Sequence, residues 1–134
     1  MKVSALGLAS FVVLQASVSV AAEPADKRHP GAVALSQPGG VWTYKSFPQL
    51  TDLYISENDT QGRSNCEETC ITAWPPLVAV EHEWGDKVGD WSVIKRADGQ
   101  FQWAYKGQPV YMRYHDMPAG PYAKEIEGFH LLRP

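Results

Sequence analysis

The stretch that decides the fold is WSVIKRADGQFQWAYK, residues 91–106. On each side of Asp98–Gly99, branched or aromatic residues alternate with other residues, which is typical of half-buried strands. An Asp-Gly pair between two such runs is the strongest short-range signal for a β-hairpin. Lys106–Gly107 then turns the chain into a further strand-like run, QPVYMRYHD at residues 108–116. The sequence therefore predicts antiparallel β-structure in this part of the chain.

The tetrapeptide WAYK that ends this stretch (103–106) has a near copy, WTYK, at residues 42–45. After each tetrapeptide comes an apolar residue followed directly by Tyr, then an Asp five residues beyond that Tyr, and then a Gly. The matched pairs are Tyr54 with Asp59 and Tyr111 with Asp116. Several coincidences in the same order are typical of an internal repeat. We therefore predict two copies of a strand–turn–strand unit, at about residues 41–84 and 91–134.

Helical signals occur in SNCEETCITAWPP, residues 64–76. Ser64 followed three residues later by Glu67 forms the capping-box pattern that begins a helix. Pro75–Pro76 would end that helix, because proline cannot donate the backbone hydrogen bond that continues it. We predict one short helix or helical loop near residues 64–74.

These patterns together predict a mostly β fold. Residues 41–134 should form a single β-rich domain, in which two similar strand–turn–strand halves close on each other as a small sandwich or partial barrel. Residues 23–40 contain three prolines and three glycines, a composition typical of a flexible linker. Any strand in AVALS, residues 32–36, would be short and at an edge.

Residues 1–22 have the pattern of a secretory signal peptide. One basic residue, Lys2, precedes a long apolar stretch that ends in small residues, and cleavage fits after Ala21 or Ala22. The first cysteine is Cys66, so no lipobox cysteine follows the cleavage site. We expect an exported protein, periplasmic or secreted, that is not lipid-anchored by this route. No membrane span is expected once the signal is removed.

The charge balance argues against polyanionic partners. The chain has 12 Lys and Arg against 15 Asp and Glu, a formal charge of −3, which becomes more negative when Lys2 is removed. No run of basic residues stands out. Nucleic acid and anionic membrane surfaces are therefore not expected partners.

Cys66 and Cys70 are expected to form a disulfide, because both would be exported to an oxidising compartment. Residues four apart on an ideal helix have Cβ atoms about 5–6 Å apart, whereas a disulfide needs about 3.5–4.5 Å. The bridge therefore requires a distorted helical turn or a compact loop, and its short loop contributes only about 2 kcal/mol. The alternative is a redox-active pair near a helix N-terminus, which the flanking Glu67 and Glu68 disfavour by opposing thiolate formation.

Two segments carry a resemblance to a known family: LYISENDTQGRSNCEETCITAWPPL (53–77) and DGQFQWAYKGQPVY (98–111). They resemble a bacterial secreted-repeat family with a Tyr-x-aromatic-x-x-Asp motif, many of whose members are predicted lipoproteins. The resemblance extends over residues 41–134. Ser56 and Arg113 stand where the motif has its middle aromatic. Because the family has no assigned function, the resemblance implies an exported repeat architecture and no particular activity.

The pairs Tyr54/Asp59 and Tyr111/Asp116 have two interpretations. In the structural one, which we favour, each Asp accepts backbone N–H groups in the turn after its strand. The Tyr ring then packs inside, and its hydroxyl finds a buried partner. In the functional one, the two pairs form a ligand site. Turn chemistry alone selects Asp before a Gly-containing turn, which favours the structural interpretation.

Met112, His115, Met117 and His130 are the candidates for a metal site. Thioether and imidazole groups are soft ligands that suit copper in an exported protein. Alternation along a strand places Met112 and Met117 on opposite faces, so the set converges only if the strand ends near His115. We expect ordinary packing and surface roles and no cofactor, with copper as the alternative.

The sequence contains no recognisable catalytic arrangement. It has no Gly-x-Ser-x-Gly element, no paired carboxylates in helical register and no Gly-rich phosphate loop. We therefore expect a non-enzymatic envelope or secreted module that binds a partner or has a structural role. The alternative is a periplasmic copper-handling or thiol-redox protein. Five tryptophans are many for one small domain, and any left exposed would offer a surface to a protein, glycan or small molecule.

Overall fold

The computed structural model describes residues 2–15, 23–113 and 128–134. Residues 2–15 contain no regular secondary structure and are exposed to solvent. The rest of the described chain is mostly β, with antiparallel strand pairs and one short α-helix. The predicted fold class, a small sandwich-like β domain with a short helix, is confirmed.

The strands follow one another along the chain in short segments. They are β1 (Val33–Ser36), β2 (Thr43–Ser46), β3 (Tyr54–Ser56), β4 (Val78–Ala79), β5 (Lys87–Val88), β6 (Trp91–Lys95), β7 (Phe101–Tyr105), β8 (Gln108–Pro109) and β9 (Phe129–Leu131). The helix α1 (Thr69–Ala73) lies between β3 and β4, and 3-10 turns occupy Pro38–Gly40 and Glu81–Glu83.

The largest sheet has five strands in the order β4-β7-β6-β5, with β8 also paired to β7. Two smaller sheets each consist of one pair, β1 with β2 and β3 with β9. Each of these pairings is antiparallel. The strand β7 is therefore the centre of the large sheet, with β6 on one side and both β4 and β8 on the other.

The hairpin predicted from Asp98–Gly99 is formed by β6 and β7. Five residue pairs lie across it, with Val93 opposite Trp103 at the middle of the ladder. Asp98 Oδ1 accepts a hydrogen bond from the Gln100 backbone N–H at 2.9 Å. Gly99 has a φ of 86°, a conformation that strains residues with a Cβ atom. The turn therefore forms at the predicted place, but its loop is longer than two residues, because the Arg96 N–H bonds to the Gln100 carbonyl oxygen at 2.8 Å.

Tyr54 and Tyr111 face each other where the two parts of the chain meet. Their backbones exchange two hydrogen bonds, Tyr54 N to Tyr111 O at 2.9 Å and Tyr111 N to Tyr54 O at 2.8 Å. On the outer side of Tyr54 lies Leu131, and on the outer side of Tyr111 lies Pro76. We call this four-segment arrangement the tyrosine seam.

Two hydrophobic clusters pack around the tyrosine seam. The larger one contains Val33, Tyr44, Leu53, Leu77, Ala79, Trp91, Val93, Trp103, Tyr105, Val110 and Leu132. The smaller one contains Tyr54, Cys66, Trp74, Tyr111 and Phe129. In the smaller cluster the Trp74 and Phe129 rings stack in parallel with centroids 4.0 Å apart. Aromatic rings therefore fill much of both clusters.

The expectation of a flexible linker over residues 23–40 does not hold for its last part. Residues 33–36 form β1, which pairs with β2 so that Val33 lies opposite Ser46. Val33 is 2% exposed and belongs to the larger cluster. Apolar residues in AVALS can therefore be buried by pairing with the strand that follows. As expected for this segment, the strand is short and lies at an edge.

The predicted short helix near residues 64–74 is present, but its predicted capping box is not. The helix α1 begins at Thr69, and Glu68 precedes it with a φ of 52° and no side-chain cap. Ser64 Oγ instead accepts a hydrogen bond from the Cys66 backbone N–H at 3.2 Å. The reason is that the Ser64 hydroxyl is engaged by partners elsewhere in the fold, described below. No helix in the described residues is long and apolar enough to cross a membrane.

Candidate functional site

The family-motif residues Asp59 and Tyr111 contact each other across the tyrosine seam. The Tyr111 hydroxyl donates to Asp59 Oδ2 at 2.7 Å. Asp59 Oδ1 accepts the Asn65 backbone N–H at 2.7 Å, within the turn that follows β3. The aspartate that follows the first tyrosine is therefore bound by the second tyrosine. Asp116 lies outside the described residues, so its role stays a prediction.

Burial raises the pKa of both members of this pair, Asp59 and Tyr111. Desolvation is the largest effect on Asp59 and raises the pKa of its carboxyl, although hydrogen bonds from Asn65 and Tyr111 act in the opposite direction. Desolvation also raises the pKa of Tyr111 to about 12, with the Asp59 charge adding to the rise. The phenol therefore stays protonated at neutral pH and acts as a hydrogen-bond donor to the carboxylate.

Arg96 is the centre of a buried polar network that the sequence interpretation did not include. Its side chain is 1% exposed. The Nη1 group donates to Ser64 Oγ and to Gln102 Oε1, both at 2.8 Å, and Nη2 donates to the Cys66 carbonyl oxygen. The Nε group donates to Asp98 Oδ2 at 3.2 Å. One arginine therefore joins the β6–β7 hairpin to the segment before α1.

Ser64 connects this arginine to the tyrosine seam. Its Oγ lies 2.5 Å from the Tyr111 hydroxyl. Because Tyr111 gives its own proton to Asp59, the Ser64 hydroxyl is the donor in this short contact. A continuous row of donors thus runs from Arg96 through Ser64 and Tyr111 to the Asp59 carboxylate. Each bond in such a row polarises the next, and buried networks of this kind hold a single geometry.

Arg96 was missed because its position in the sequence suggests a solvated turn. It comes directly after β6 and one residue before Ala97-Asp98-Gly99. The available signal was alternation, since Ile94 and Arg96 share one face of the strand and Ile94 is buried. Predicting the burial of Arg96 would have required knowing that residues 64–66 cover that face of the strand.

A surface groove of about 390 Å³ opens beside the network. We call it the cationic groove, because half of its lining residues carry a positive charge and none carries a negative charge. Its lining residues are Gly62, Arg63, Ser64, Lys95, Arg96 and Ala97. Arg63 and Lys95 are exposed at the surface, while Arg96 is buried. Two turns, one from each part of the chain, therefore form its walls.

Cys66 and Cys70 are joined as a disulfide, with Cα atoms 5.2 Å apart. Cys66 is 3% exposed and belongs to the smaller hydrophobic cluster, while Cys70 lies in the first turn of α1. The compact turn between them includes the positive φ of Glu68. The disulfide fixes the segment in which the Cys66 carbonyl oxygen accepts a hydrogen bond from Arg96.

The candidate copper ligands divide between separate environments. Met112 is half-buried and packs on the larger hydrophobic cluster. His130 Nε2 lies 2.6 Å from Glu57 Oε1 in a partly exposed pair. His115 and Met117 lie outside the described residues. Among residues 2–15, 23–113 and 128–134, no three His, Cys, Asp or Glu side chains are placed to hold a metal ion.

The tryptophans differ in exposure. Trp74, Trp91 and Trp103 are buried, Trp42 is half-buried, and Trp84 is 54% exposed. Trp84 contacts the Phe101 ring with centroids 5.4 Å apart, and exposed Val78 and Val80 lie on the nearby edge strand and loop. Most of the tryptophan content therefore serves the core, and Trp84 provides a small aromatic surface.

Comparison with protein-family models, with curated proteins and with solved structures found no match to this chain.

Proposed function

We propose that this chain is a non-enzymatic, exported bacterial module with a binding or structural role, built from two copies of one unit and related to the secreted-repeat family that its motifs resemble. The observation that carries the proposal is the tyrosine seam together with its buried polar network. The motif residues Tyr54, Asp59 and Tyr111 join the two halves of the fold there.

The contacts around the seam support duplication because they occur in matched pairs. Tyr54 packs on Trp74 at 5.1 Å and Tyr111 packs on Phe129 at 5.4 Å, each with its partner ring steeply tilted. Leu132 N–H bonds to the Leu53 carbonyl at 2.8 Å, and Leu77 N–H bonds to the Val110 carbonyl at 2.9 Å. In the ring pairs, each partner ring follows its own tyrosine in the sequence, and in the backbone pairs each tyrosine strand bonds to the segment that follows the other tyrosine.

The two tetrapeptides support the same proposal. Tyr44 of WTYK and Tyr105 of WAYK are both buried, and their rings touch with centroids 5.1 Å apart. Each lies in the second strand of a hairpin, β1–β2 in one case and β6–β7 in the other. A repeated unit therefore accounts for the repeated tetrapeptide. Sequence similarity alone did not reveal that each copy begins with a further strand, β1 in one and β6 in the other.

A non-catalytic role is supported by how the polar groups are used. A catalytic acid or base has to reach a proton on the substrate. Arg96, Ser64 and the Tyr111 hydroxyl instead bind one another in the interior, and Asp59 accepts from Tyr111 and Asn65. These groups fix the chain and leave little capacity for a reacting molecule.

Export is supported by residues 1–22 and by the cysteine pair, which suits an oxidising compartment. The test is expression of the full chain in a Gram-negative host, followed by fractionation and intact mass measurement. We expect a periplasmic or medium fraction that lacks residues 1–21 or 1–22 and contains no titratable thiol. A cytoplasmic product that retains Met1 and two free thiols would overturn the proposal.

The non-enzymatic part is tested against the copper and thiol-redox alternative. Metal analysis of the exported protein, with the variant His130→Ala as a control, should show no stoichiometric copper. Stoichiometric copper lost in that variant, or a thiol pair that cycles during purification, would favour the alternative.

A further inference from the structure

We propose that the turn after β2 inserts two apolar side chains into the interface of a zwitterionic lipid bilayer. This inference deepens the binding role proposed above and rests on it. The turn consists of Phe47, Pro48, Gln49 and Leu50, all of them exposed, and we call it the apolar tip. Phe47 and Leu50 are each 55% exposed, although both side chains are large and apolar.

Hydrogen bonds hold the apolar tip in one geometry. The Leu50 N–H donates to the Ser46 carbonyl oxygen at 2.9 Å, and the Ser46 N–H donates to the Thr51 carbonyl oxygen at 2.9 Å. The Ser46 and Thr51 hydroxyl oxygens lie 2.6 Å apart. On the side of β1, the Phe47 N–H donates to the Ala32 carbonyl oxygen at 2.8 Å. A turn that is already fixed in this way loses little conformational entropy when its side chains enter a partner.

Leu50 is an unfavourable residue for this turn if only folding is considered. Its φ is 58°, in the left-handed region where glycine and asparagine are the usual residues. A leucine there strains the backbone, and its exposed side chain gains little from burial. Local rules of this kind are broken mainly at functional positions. The strain at Leu50 is therefore explained by a partner that its side chain contacts.

The charge around the apolar tip determines the kind of partner. Residues 46–51 contain no charged side chain. The charged residues on either side, Lys45 and Asp52, pair with each other, and their Nζ and Oδ1 atoms lie 2.5 Å apart. The surface behind the tip is therefore neutral, and the chain as a whole has a formal charge of −3. An uncharged tip on an acidic protein matches a zwitterionic lipid surface, whereas the negative potential of an anionic surface repels the protein.

The shape of the apolar tip also fits a lipid interface. Four consecutive exposed residues at a turn form a protrusion, which offers no enclosed volume to a small ligand. Apolar side chains on a protrusion can enter the boundary between lipid headgroups and acyl chains, where the strength of binding increases with the apolar area that is buried. Phe47 and Leu50 together supply that area.

The experiment is sedimentation of the oxidised, exported protein with sucrose-loaded vesicles of phosphatidylcholine and phosphatidylethanolamine. We expect saturable binding that does not weaken when salt is added, because burial of apolar area and not charge provides the affinity. Adding phosphatidylglycerol to the vesicles should not increase binding. Absence of binding to the zwitterionic vesicles, or binding that requires phosphatidylglycerol, would overturn the proposal.

The matched variants are Phe47→Ser/Leu50→Ser and Val78→Ser/Val80→Ser. Each removes two apolar side chains that are about half exposed, but only the first pair lies in the apolar tip. We expect the first variant to weaken vesicle binding at least about tenfold, since the exposed parts of a Phe and a Leu side chain no longer leave water. The second should weaken binding less than about threefold, because apolar residues elsewhere on the surface do not enter the bilayer. Equal losses would show a general effect of surface hydrophobicity and would overturn the site.

The variant Leu50→Asn separates binding from folding. Asparagine adopts a positive φ more readily than leucine, so the substitution relieves backbone strain while it removes the apolar side chain. We expect vesicle binding to weaken at least about threefold, while the thermal unfolding midpoint Tm stays the same or rises. A Tm lowered by about 4 °C or more would show that Leu50 serves the fold and would overturn the proposal. The fractionation experiment tests export separately, so the two proposals can fail independently.

Discussion

The β6–β7 hairpin and the segment from residue 57 to residue 74 are in direct contact, yet they are held in place in different ways. The hairpin is held by a ladder of backbone hydrogen bonds across five residue pairs. The segment has an isolated bridge between Thr60 and Arg63 and the short helix α1, and side chains satisfy much of the rest. The backbone hydrogen bonds of a ladder remain when a side chain is removed, whereas a segment held by side chains loses a stabilising contact. Polar substitutions should therefore cost most where the backbone is irregular.

The largest effect is expected from Arg96→Ala. This change removes donors from Ser64, Gln102 and the Cys66 carbonyl, all of which are buried. Breaking one side of a buried charged network costs about 3–5 kcal/mol, which should appear as a lower free energy of unfolding in urea. The matched control is Lys95→Ala, the exposed neighbour, which should change stability by less than about 0.5 kcal/mol. Equal costs in the two variants would contradict the comparison.

The next effect concerns the disulfide. Replacing both Cys66 and Cys70 with Ser should lower the free energy of unfolding by about 2 kcal/mol, since the bridge closes only a short loop. Amide hydrogen exchange should speed up in residues 64–73 and remain unchanged in β6 and β7. Loss of protection across the hairpin as well would mean that the segment and the ladder unfold as one unit.

Tyr111→Phe should have an effect comparable with that of the disulfide. The ring stays, but the Asp59 carboxylate and the Ser64 hydroxyl lose a partner. Leaving such groups without a partner costs about 1–3 kcal/mol. Combining this variant with Asp59→Asn in a double-mutant cycle should give a combined loss smaller than the sum of the two single losses. Strict additivity would show that the two side chains do not act together.

The same residue predicts a dependence on alkaline pH. The folded chain raises the pKa of Tyr111 from 10.0 to about 12, first through burial. Between these values the unfolded chain gives up the phenolic proton more readily, so the free energy of unfolding falls as the pH rises through this window. Burial also raises the pKa of Tyr44 and of Tyr105, which adds a change of the same sign. Urea unfolding at several pH values should show a shallower fall in Tyr111→Phe.

The smallest effect is expected from a change in the turn of the β6–β7 hairpin. Gly99→Ala introduces a Cβ atom at a φ of 86°, with open space around it, so the cost is backbone strain alone. That strain is worth about 1–2 kcal/mol. Gly31→Ala is the control, because Gly31 also has open space and lacks a positive φ. Thermal unfolding should separate the two variants, and an equal response would show that the hairpin turn tolerates a Cβ atom.

The hairpin could be predicted because its information is local. Asp98–Gly99 specifies the turn, and the alternating residues on either side specify the strands. The β content and the short helix followed from the same kind of signal. The start of α1 could not be predicted in this way, because Ser64 has two competing uses. Its hydroxyl could cap a helix locally, but Arg96 and Tyr111 reach it from distant parts of the chain and take it instead.

The polar network could be predicted only in part. Tyr111 and Asp59 were recognisable from the motif, but the sequence paired each Asp with the tyrosine before it. The structure binds Asp59 to the tyrosine of the other half, a choice that depends on how the strands cross at the seam. The burial of Arg96 depends on a contact between segments about thirty residues apart in the sequence. Long-range contacts of this kind leave no periodic signal in a single sequence.

The reciprocal backbone bonds between Tyr54 and Tyr111 have a consequence for shorter versions of the chain. A fragment that ends near Val80 would carry β3 with the edge that faces Tyr111 uncovered. Two such fragments could close the gap with each other, since each supplies the same strand in the orientation that the other lacks. Under the proposed duplication, half of the gene should therefore yield a symmetric homodimer.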